Sequence, residues 1–410
     1  MNKPILSTMA CRDCGLIQRI GQVPARHLVQ CARCGRVLIT RTVGRVDRPL
    51  ALALCALLLL VGSTLAPLLS VSTLGAERTS RLLTGVRIFA AQGFPELSLL
   101  VLVCAVILPF AFLLALVWVL GCVHVGATQR WELGRIYRWL GAIRPWMMLE
   151  VFLVGGFVAY TRIQAVATIQ VDAGGWCFIA ATFVSLLALT QLDDHTVWDA
   201  LPYKAKPQDL RPLEQVPCRA CDLMVPVSAE RHSCPRCHAR LHSRKPAAVR
   251  RTAALLVAAY LLYIPANLLP VTTLEGAGGD EDHTIMSGVF ELIHNDLWPL
   301  AVIVFAASVV LPLLKLLSLT WMLIAIRLRS GHLLGTRTRL YRTIDTIGRW
   351  SNIDVFMGSV LVALLQFGVL TTVRAQPGLV AFAAVVVITM IATETFDPRL
   401  MWDAAAERAA

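Results

Sequence analysis

Eight cysteines carry the clearest chemistry in the chain. Cys218 and Cys221 bracket two residues, and twelve residues later come Cys234 and Cys237. Near the start, Cys11 and Cys14 are followed sixteen residues on by Cys31 and Cys34. Two C-x-x-C pairs at that separation let four thiolates converge from tight knuckles on one tetrahedral ion, the ligand set of a structural zinc ribbon. Two zinc sites are therefore expected, with iron the other ion that four thiolates accept. Gly15 and Gly35 follow the second cysteine of each pair in the first cluster, where a positive φ suits the knuckle; Asp222 and His238 hold those places in the second. His27, His232 and His238 lie close enough to be substitute ligands, yet four cysteines complete each set, so the histidines read as surface or supporting residues.

A second candidate is Lys315. It lies twelve residues before Arg327 in an apolar run, roughly 18 Å from that end at about 1.5 Å per residue, too deep for its side chain to snorkel. An ammonium there must be paired, wetted or deprotonated. Ser351, Thr389, Thr393 and Glu394, with Asp193 from the first half, are the partners the sequence offers. One reading is a proton or substrate relay; the other is a buried ion pair or hydrogen-bonded group that fixes helix packing. The sequence leaves both open. Glu150 and Asp354 read as acids that complement helix N-termini, with Ser351 and Asp354 in a capping box.

These residues need a frame, and composition says which. Of 410 residues 57% are hydrophobic and 16% charged, too apolar for an ordinary soluble protein of this size. About 20 apolar residues cross a bilayer core. Eight runs qualify: 50–71, 97–125, 145–171 and 174–192, then 252–274, 297–326, 355–373 and 376–393. The halves repeat, Pro109 returning as Pro312 after 203 residues and Trp198 as Trp402 after 204. Lys315 has Phe112 as its counterpart, so the halves differ at that place. The expected fold is an all-α polytopic membrane protein, a tandem repeat of a small zinc ribbon plus a four-helix block. Its parts are a first ribbon at 1–47, a first block at 48–200, a second ribbon at 201–247 and a second block at 248–410. Pro109 and Pro312 should kink their spans, while Pro67 and Pro270 should end theirs.

Charge sets the expected orientation. The loop carrying Arg135, Arg138 and Arg144, and its counterpart carrying Arg337, Arg339, Arg342 and Arg349, should be cytoplasmic; the acidic loop with Glu275, Asp280, Glu281 and Asp282 should face the other side. Both ribbons and the C-terminus then fall in the cytoplasm, where thiols stay reduced. No secretory signal pattern is expected in the basic, Cys-bearing first fifty residues. The net charge of +12 belongs to these flanks and to anionic headgroups, so no nucleic-acid partner is expected. No Walker loop, H-E-x-x-H or G-x-S-x-G motif occurs, and no enzymatic activity is expected.

Tandem C-x-x-C ribbons, each leading into a membrane block, with Leu268, Leu269, Pro270 and Val271 closing the first span of the second block, carry a resemblance. Over nearly its whole length the chain resembles the paraquat-inducible protein A family of bacterial inner-membrane proteins. The first half departs at Ala66, Pro67, Leu68, Leu69 and Ser70, where the proline is shifted. The resemblance implies a part in moving phospholipid between the two membranes of a Gram-negative envelope, beside a partner whose MCE domains form a periplasmic tunnel. Lys315 would then meet a headgroup phosphate or couple movement to protons. Two other classes stand beside this one: a membrane thiol-redox protein, disfavoured because bound metal masks thiolates, and a scaffold whose ribbons recruit cytoplasmic partners.

Overall fold

The structure is a computed structural model. It describes residues 7–21, 23–24, 27–40, 46–73, 76–129, 132–164, 168–202, 215–226, 232–276, 279–294, 296–365 and 371–409. The first ribbon is two hairpins, β1 (Ser7–Ala10) with β2 (Ile17–Ile20) and β3 (Leu28–Gln30) with β4 (Val37–Thr40). Helix α1 (Asp47–Leu65) leads into strands β5 (Leu69–Thr73) and β6 (Ala76–Ser80). Short helices α2 (Thr84–Ala91) and α3 (Pro95–Val101) follow, and α3 runs through a π-turn at Leu102–Ile107 into α4 (Leu108–His124). Next come α5 (Glu132–Ile143), a 3₁₀ turn at Arg144–Trp146, α6 (Leu149–Gln164), β7 (Thr168–Val171), α7 (Ala173–Gln191) and α8 (Asp194–Ala200).

The second half repeats that order. It has β8 (Gln215–Pro217), β9 (Met224–Pro226), α9 (Ala248–Leu268), β10 (Thr272–Gly276), β11 (Gly279–His283) and α10 (Ile285–His294). Helix α11 (Trp298–Phe305) passes through a π-turn at Ala306–Val310 into α12 (Leu311–Arg327). Then come α13 (Leu334–Ile347), a 3₁₀ turn at Gly348–Asn352, α14 (Ile353–Leu364), β12 (Thr371–Ala375), α15 (Pro377–Thr395) and α16 (Arg399–Ala409).

The block is not all-α. Each half folds a three-stranded antiparallel sheet, β6-β5-β7 and β11-β10-β12; β5, β7, β10 and β12 draw on residues counted above as the outer ends of spans, while β6 and β11 lie between spans. The cause is local. Ala66 and Leu269 stand before Pro67 and Pro270, and both take extended backbone, with ψ of 156° and 149°. Proline drives the preceding residue out of the α region, so both helices stop there. The residues beyond are β-branched, Val71 and Thr73 in one half and Thr272 and Thr273 in the other, and pair with Ile169 and Arg374 across the sheets. Hydropathy summed over a window cannot separate such a strand from one more helical turn.

Seven helical runs, not eight, are long and apolar enough to cross a membrane among the described residues. One is the interrupted stretch Glu132–Gln164, containing α5 and α6. The eighth expected span is α14, which has 12 residues, all of them buried except Met357. That length alone is short of the about 20 residues a crossing needs, but the helix runs from the ribbon-side turn at Gly348–Asn352 toward β12 of the sheet, and the 366–370 portion of that expected span lies outside the described residues. The helix packs against α6 across the interface between repeats. A Cβ on Gly155 would stand 2.9 Å from Met357 N and 3.0 Å from Ile353 O, so only glycine admits this approach. Phe152 meets Phe178 and Phe356 edge to face, with centroids 5.2 and 5.5 Å apart, and joins both halves in one core.

Each repeated proline, Pro109 and Pro312, follows a π-turn, in which the wider backbone ladder accommodates the missing N–H and the ring's clash with the carbonyl four residues back.

Candidate metal centres and the buried lysine

Each knuckle is closed by two backbone hydrogen bonds. Gly15 N donates to Cys11 O at 3.0 Å while Cys11 N donates to Leu16 O at 2.9 Å; Asp222, Cys218 and Leu223 repeat the pattern in the second ribbon. The return requires left-handed backbone, and φ is +75° at Gly15 and +68° at Gly35. Asp222 and His238 take the same region at +56° and +57°, a conformation aspartate tolerates better than most residues.

The two sets of four sulfurs close on themselves. Cys11 and Cys34 are 3.5 Å apart, as are Cys14 and Cys31; Cys218 and Cys237 are 3.5 Å apart, and Cys221 and Cys234 3.6 Å. All four ligand atoms of each set lie within 4.8 Å of one another, and every one of these cysteines is buried. Four thiolates at about 2.3 Å from a tetrahedral ion would stand about 3.8 Å apart, so a small contraction separates these sets from a loaded site. The donor sets fit a metal ion, and His27, His232 and His238 stand outside both groups, as expected from the completed sets.

The ribbons dock crosswise. Around the second, Arg236 lies 5.4 Å over the Trp198 ring and donates to Cys221 O and Trp198 O, which seats this ribbon on α8 of the first block. Around the first, Asp13 takes Arg36 and also Arg342 of α13, at 2.8 Å, and Arg342 donates to Cys34 O. Arg33 lies 5.0 Å over Trp402 of α16. A two-pronged pair from Arg12 to Asp222, at 2.8 and 2.5 Å, links the ribbons. Trp198 and Trp402, equivalent in the repeat, therefore serve as the platforms on which the ribbons sit.

Lys315 is 2% exposed on α12, and its Nζ donates to Gly348 O at 2.5 Å. Gly348 caps the C-terminus of α13, where carbonyls lack helical partners and the dipole is negative, so an ammonium finds both an acceptor and a favourable field there. The polar residues expected beside Lys315 are placed as follows. Ser351 is 1% exposed in the same 3₁₀ turn, and its Oγ has no hydrogen-bond partner among the described residues. Thr389 and Thr393 donate to carbonyls of their own helix, Val386 O and Thr389 O. Glu394 accepts from Trp146 Nε1 at 3.0 Å. Asp193 caps α8, accepting from His195 N and from Thr196 Oγ1. Among the described residues Lys315 makes no hydrogen bond to any of these five side chains; its partner is a backbone carbonyl, which has no residue-type signature in a sequence.

Asp354 and Ser351 do not form a capping box. Both Asp354 oxygens lack a hydrogen-bond partner among the described residues, and Asn352 precedes the helix without a side-chain cap. Glu150 pairs with Arg349 across the interface between repeats at 2.9 Å. Away from the ribbons, beneath the first sheet, an apolar cavity of about 200 Å³ is bounded by Leu68, Phe152, Phe157, Phe178 and Val360, with Arg81 among its lining residues.

A tandem membrane fold with a four-cysteine module before each block defines a class of multi-span membrane proteins. The chain belongs to the paraquat-inducible protein A family, which it matches over 46–202 and 249–406. It is 30% identical over 407 residues to the intermembrane transport protein PqiA of Escherichia coli K12, covering 96% of this chain and 95% of that protein. It is 29% identical to the lipophilic envelope-spanning tunnel protein A of the same strain, over 96% and 91%. A probable intermembrane transport protein of Haemophilus influenzae is 25% identical, over 98% and 97%. No solved structure matches the chain. Two of these homologues are named as intermembrane transport proteins and the third as a tunnel protein.

Proposed function

We propose that this protein is the inner-membrane subunit of an intermembrane phospholipid transport system, passing lipid to or from an MCE-domain periplasmic tunnel. Full-length similarity to intermembrane transport proteins carries the reading. The apolar cavity beneath the first sheet supports it, since apolar walls beside a single arginine suit an acyl chain near a headgroup. The ribbons and the C-terminus face the cytoplasm, the ribbons hold structural zinc, and the sheets face the periplasm.

Movement is coupled to protons in this reading. Lys315, Ser351 and Asp354 place ionisable and unsatisfied polar groups inside the apolar core near the interface between repeats, where such groups mark ion and substrate paths. Thr389, Thr393 and Glu394 of the second block and Asp193 of the first are the further polar residues this reading assigns to the path.

Crosslinking in native membranes, followed by mild-detergent purification and mass spectrometry of proteins and lipids, tests the assignment. An MCE-domain protein with bound phospholipid is the expected result. Recovery of a cytoplasmic protein with neither would instead establish the scaffold role. For the coupling, Lys315→Ala is expected to abolish lipid transfer between reconstituted vesicles while metal content and melting temperature persist; normal transfer by that variant would eliminate the relay.

A further inference from the structure

A second, larger cavity of about 650 Å³ lies on the ribbon side of the first block, between the ribbons and helices α4, α5 and α7. Its volume is within the about 300–1,000 Å³ typical of small-molecule sites. Its two ends differ in chemistry. The end at the ribbons is basic: five arginines line the cavity against three aspartates. Most of those charges are already engaged. Arg12 is bound to Asp222 and Arg36 to Asp13, Asp194 accepts from Tyr137, and Asp193 caps α8. What remains is cationic. Arg219 reaches Asp397 only at 3.4 Å, a carboxylate already held by Arg399, and its buried Nη1 has no hydrogen-bond partner among the described residues. Arg138 stacks 5.7 Å over Trp139, and Arg144 makes no ion pair among the described residues.

The other end is apolar. Phe112 and Leu116 of α4, 2% and 1% exposed, line it with Leu189 of α7. Phe112 stands roughly three turns, about 18 Å, from the end of α4 at His124, while Leu189 is two residues from the end of α7, so the apolar end lies at the ribbon-side ends of the spans. Phe112 is the residue that occupies the place of Lys315 in this half. One repeat therefore has an ammonium at that place, and the other has the aromatic floor of an amphiphilic cavity.

We infer that this cavity binds the phosphate-bearing head of an anionic lipid, with Arg138, Arg144 and Arg219 on the phosphate and the first part of an acyl chain against Phe112, Leu116 and Leu189. Guanidinium groups are matched to phosphate by charge and planar donor geometry, and the unpartnered Nη1 is a donor that such an oxygen satisfies. The apolar floor selects an amphiphile over free phosphate, and the basic rim selects an anionic head over a zwitterionic one. This is a statement about binding, and it stands whether or not the protein moves lipid.

The test uses full-length protein in phosphatidylcholine nanodiscs carrying a minor fraction of spin-labelled phosphatidylglycerol or spin-labelled phosphatidylcholine. Motionally restricted label in excess of the boundary-lipid fraction shared by both labels reports a bound lipid. That excess is expected for phosphatidylglycerol and not for phosphatidylcholine. The Arg144→Gln/Arg219→Gln variant should weaken it on the order of ten-fold or more, the loss of a charge-assisted hydrogen bond. Leu116→Trp, which fills the apolar end and leaves every arginine in place, should abolish it, with metal content and melting temperature as folding controls. Equal restriction of both labels, or insensitivity to both variants, would overturn the inference. Displacement by inorganic phosphate with no effect of Leu116→Trp would overturn it too, because the site would then hold a free anion.

Discussion

Asp397 is fully buried just past the end of α15, and Arg399, 3% exposed, holds it with Nε and Nη2 at 3.1 and 3.2 Å. Burial alone would raise this carboxyl, but the Arg399 hydrogen bonds and the Arg399 and Arg219 charges hold it down at about 2. Removing one partner of a buried pair leaves the other charge uncompensated, so Arg399→Met is expected to cost about 3 kcal/mol, at the low end of such changes because Arg219 remains 3.4 Å away. Adding Asp397→Asn should recover most of that loss, which thermal melts of both variants in detergent would show. Nearby, Lys245 donates to Phe396 O at 2.9 Å and to Glu394 O. Burial, with repulsion from Arg219, pushes its ammonium down from 10.5 to about 8 despite the attraction of Asp397, Asp345 and Glu394. Between those values the unfolded chain holds a proton that the folded chain has lost. Stability should therefore rise with pH from about 8 to 10.5 and be lowest below that window, where the lysine is charged in both states. The melting temperature of Lys245→Met should lack that rise relative to the parent protein.

Among elements, the pairing of α6 with α14 decides how the halves meet. Gly155 has backbone of the opposite repeat within about 3 Å of where a Cβ would lie, while the adjacent Gly156 has nothing within 4 Å. Gly155→Ala should push the two helices apart and cost about 1–3 kcal/mol, with Gly156→Ala near neutral. Equal melting temperatures for the two variants would show that the helices separate without strain. The strands β5 and β10 have a related dependence on Pro67 and Pro270. Replacing Pro270 by alanine relieves the constraint on Leu269, and the outer turn of α9 should lengthen at the expense of β10. Faster amide exchange in β11 and β12 than in β6 and β7 would reveal it.

At the level of the whole molecule, each ribbon reaches the block that does not follow it in sequence as well as touching its own, His195 meeting Leu38 O and Arg219 meeting Asp397. The first lies against α13 and α16 and the second against α8. Loss of one metal set should then be felt across the repeat. Cys218→Ser is expected to raise amide exchange in α5 and α8 before α13 and α16, and Cys11→Ser to do the reverse; exchange confined to the block following each altered ribbon would contradict the crosswise arrangement. The Arg12 to Asp222 pair couples the two events, and because Arg12 is 42% exposed its removal should cost no more than about 1 kcal/mol.

The cysteine sets, the duplication and most of the membrane-spanning runs are fixed by spacing and hydropathy, which are local in the chain. They were legible because a thiolate tetrad needs its ligands at short intervals and a bilayer needs an uninterrupted apolar length. The strands at the outer ends of the spans were not, since β-branched apolar residues add to a hydropathy sum as helical ones do; only pairing with a distant strand such as β7 or β12 shows them to be extended. The shortness of α14 was hidden for the same reason, and its burial becomes visible only once α6 crosses it at Gly155. Lys315 stands out in the sequence by its type within an apolar run, but its partner is the Gly348 carbonyl at the C-terminus of α13, which reaches it only through packing. Which block each ribbon covers, and the basic cavity that forms beside α4, depend on contacts between residues as distant in sequence as Arg342 and Asp13. Those contacts exist in three dimensions alone, so tertiary structure decided them.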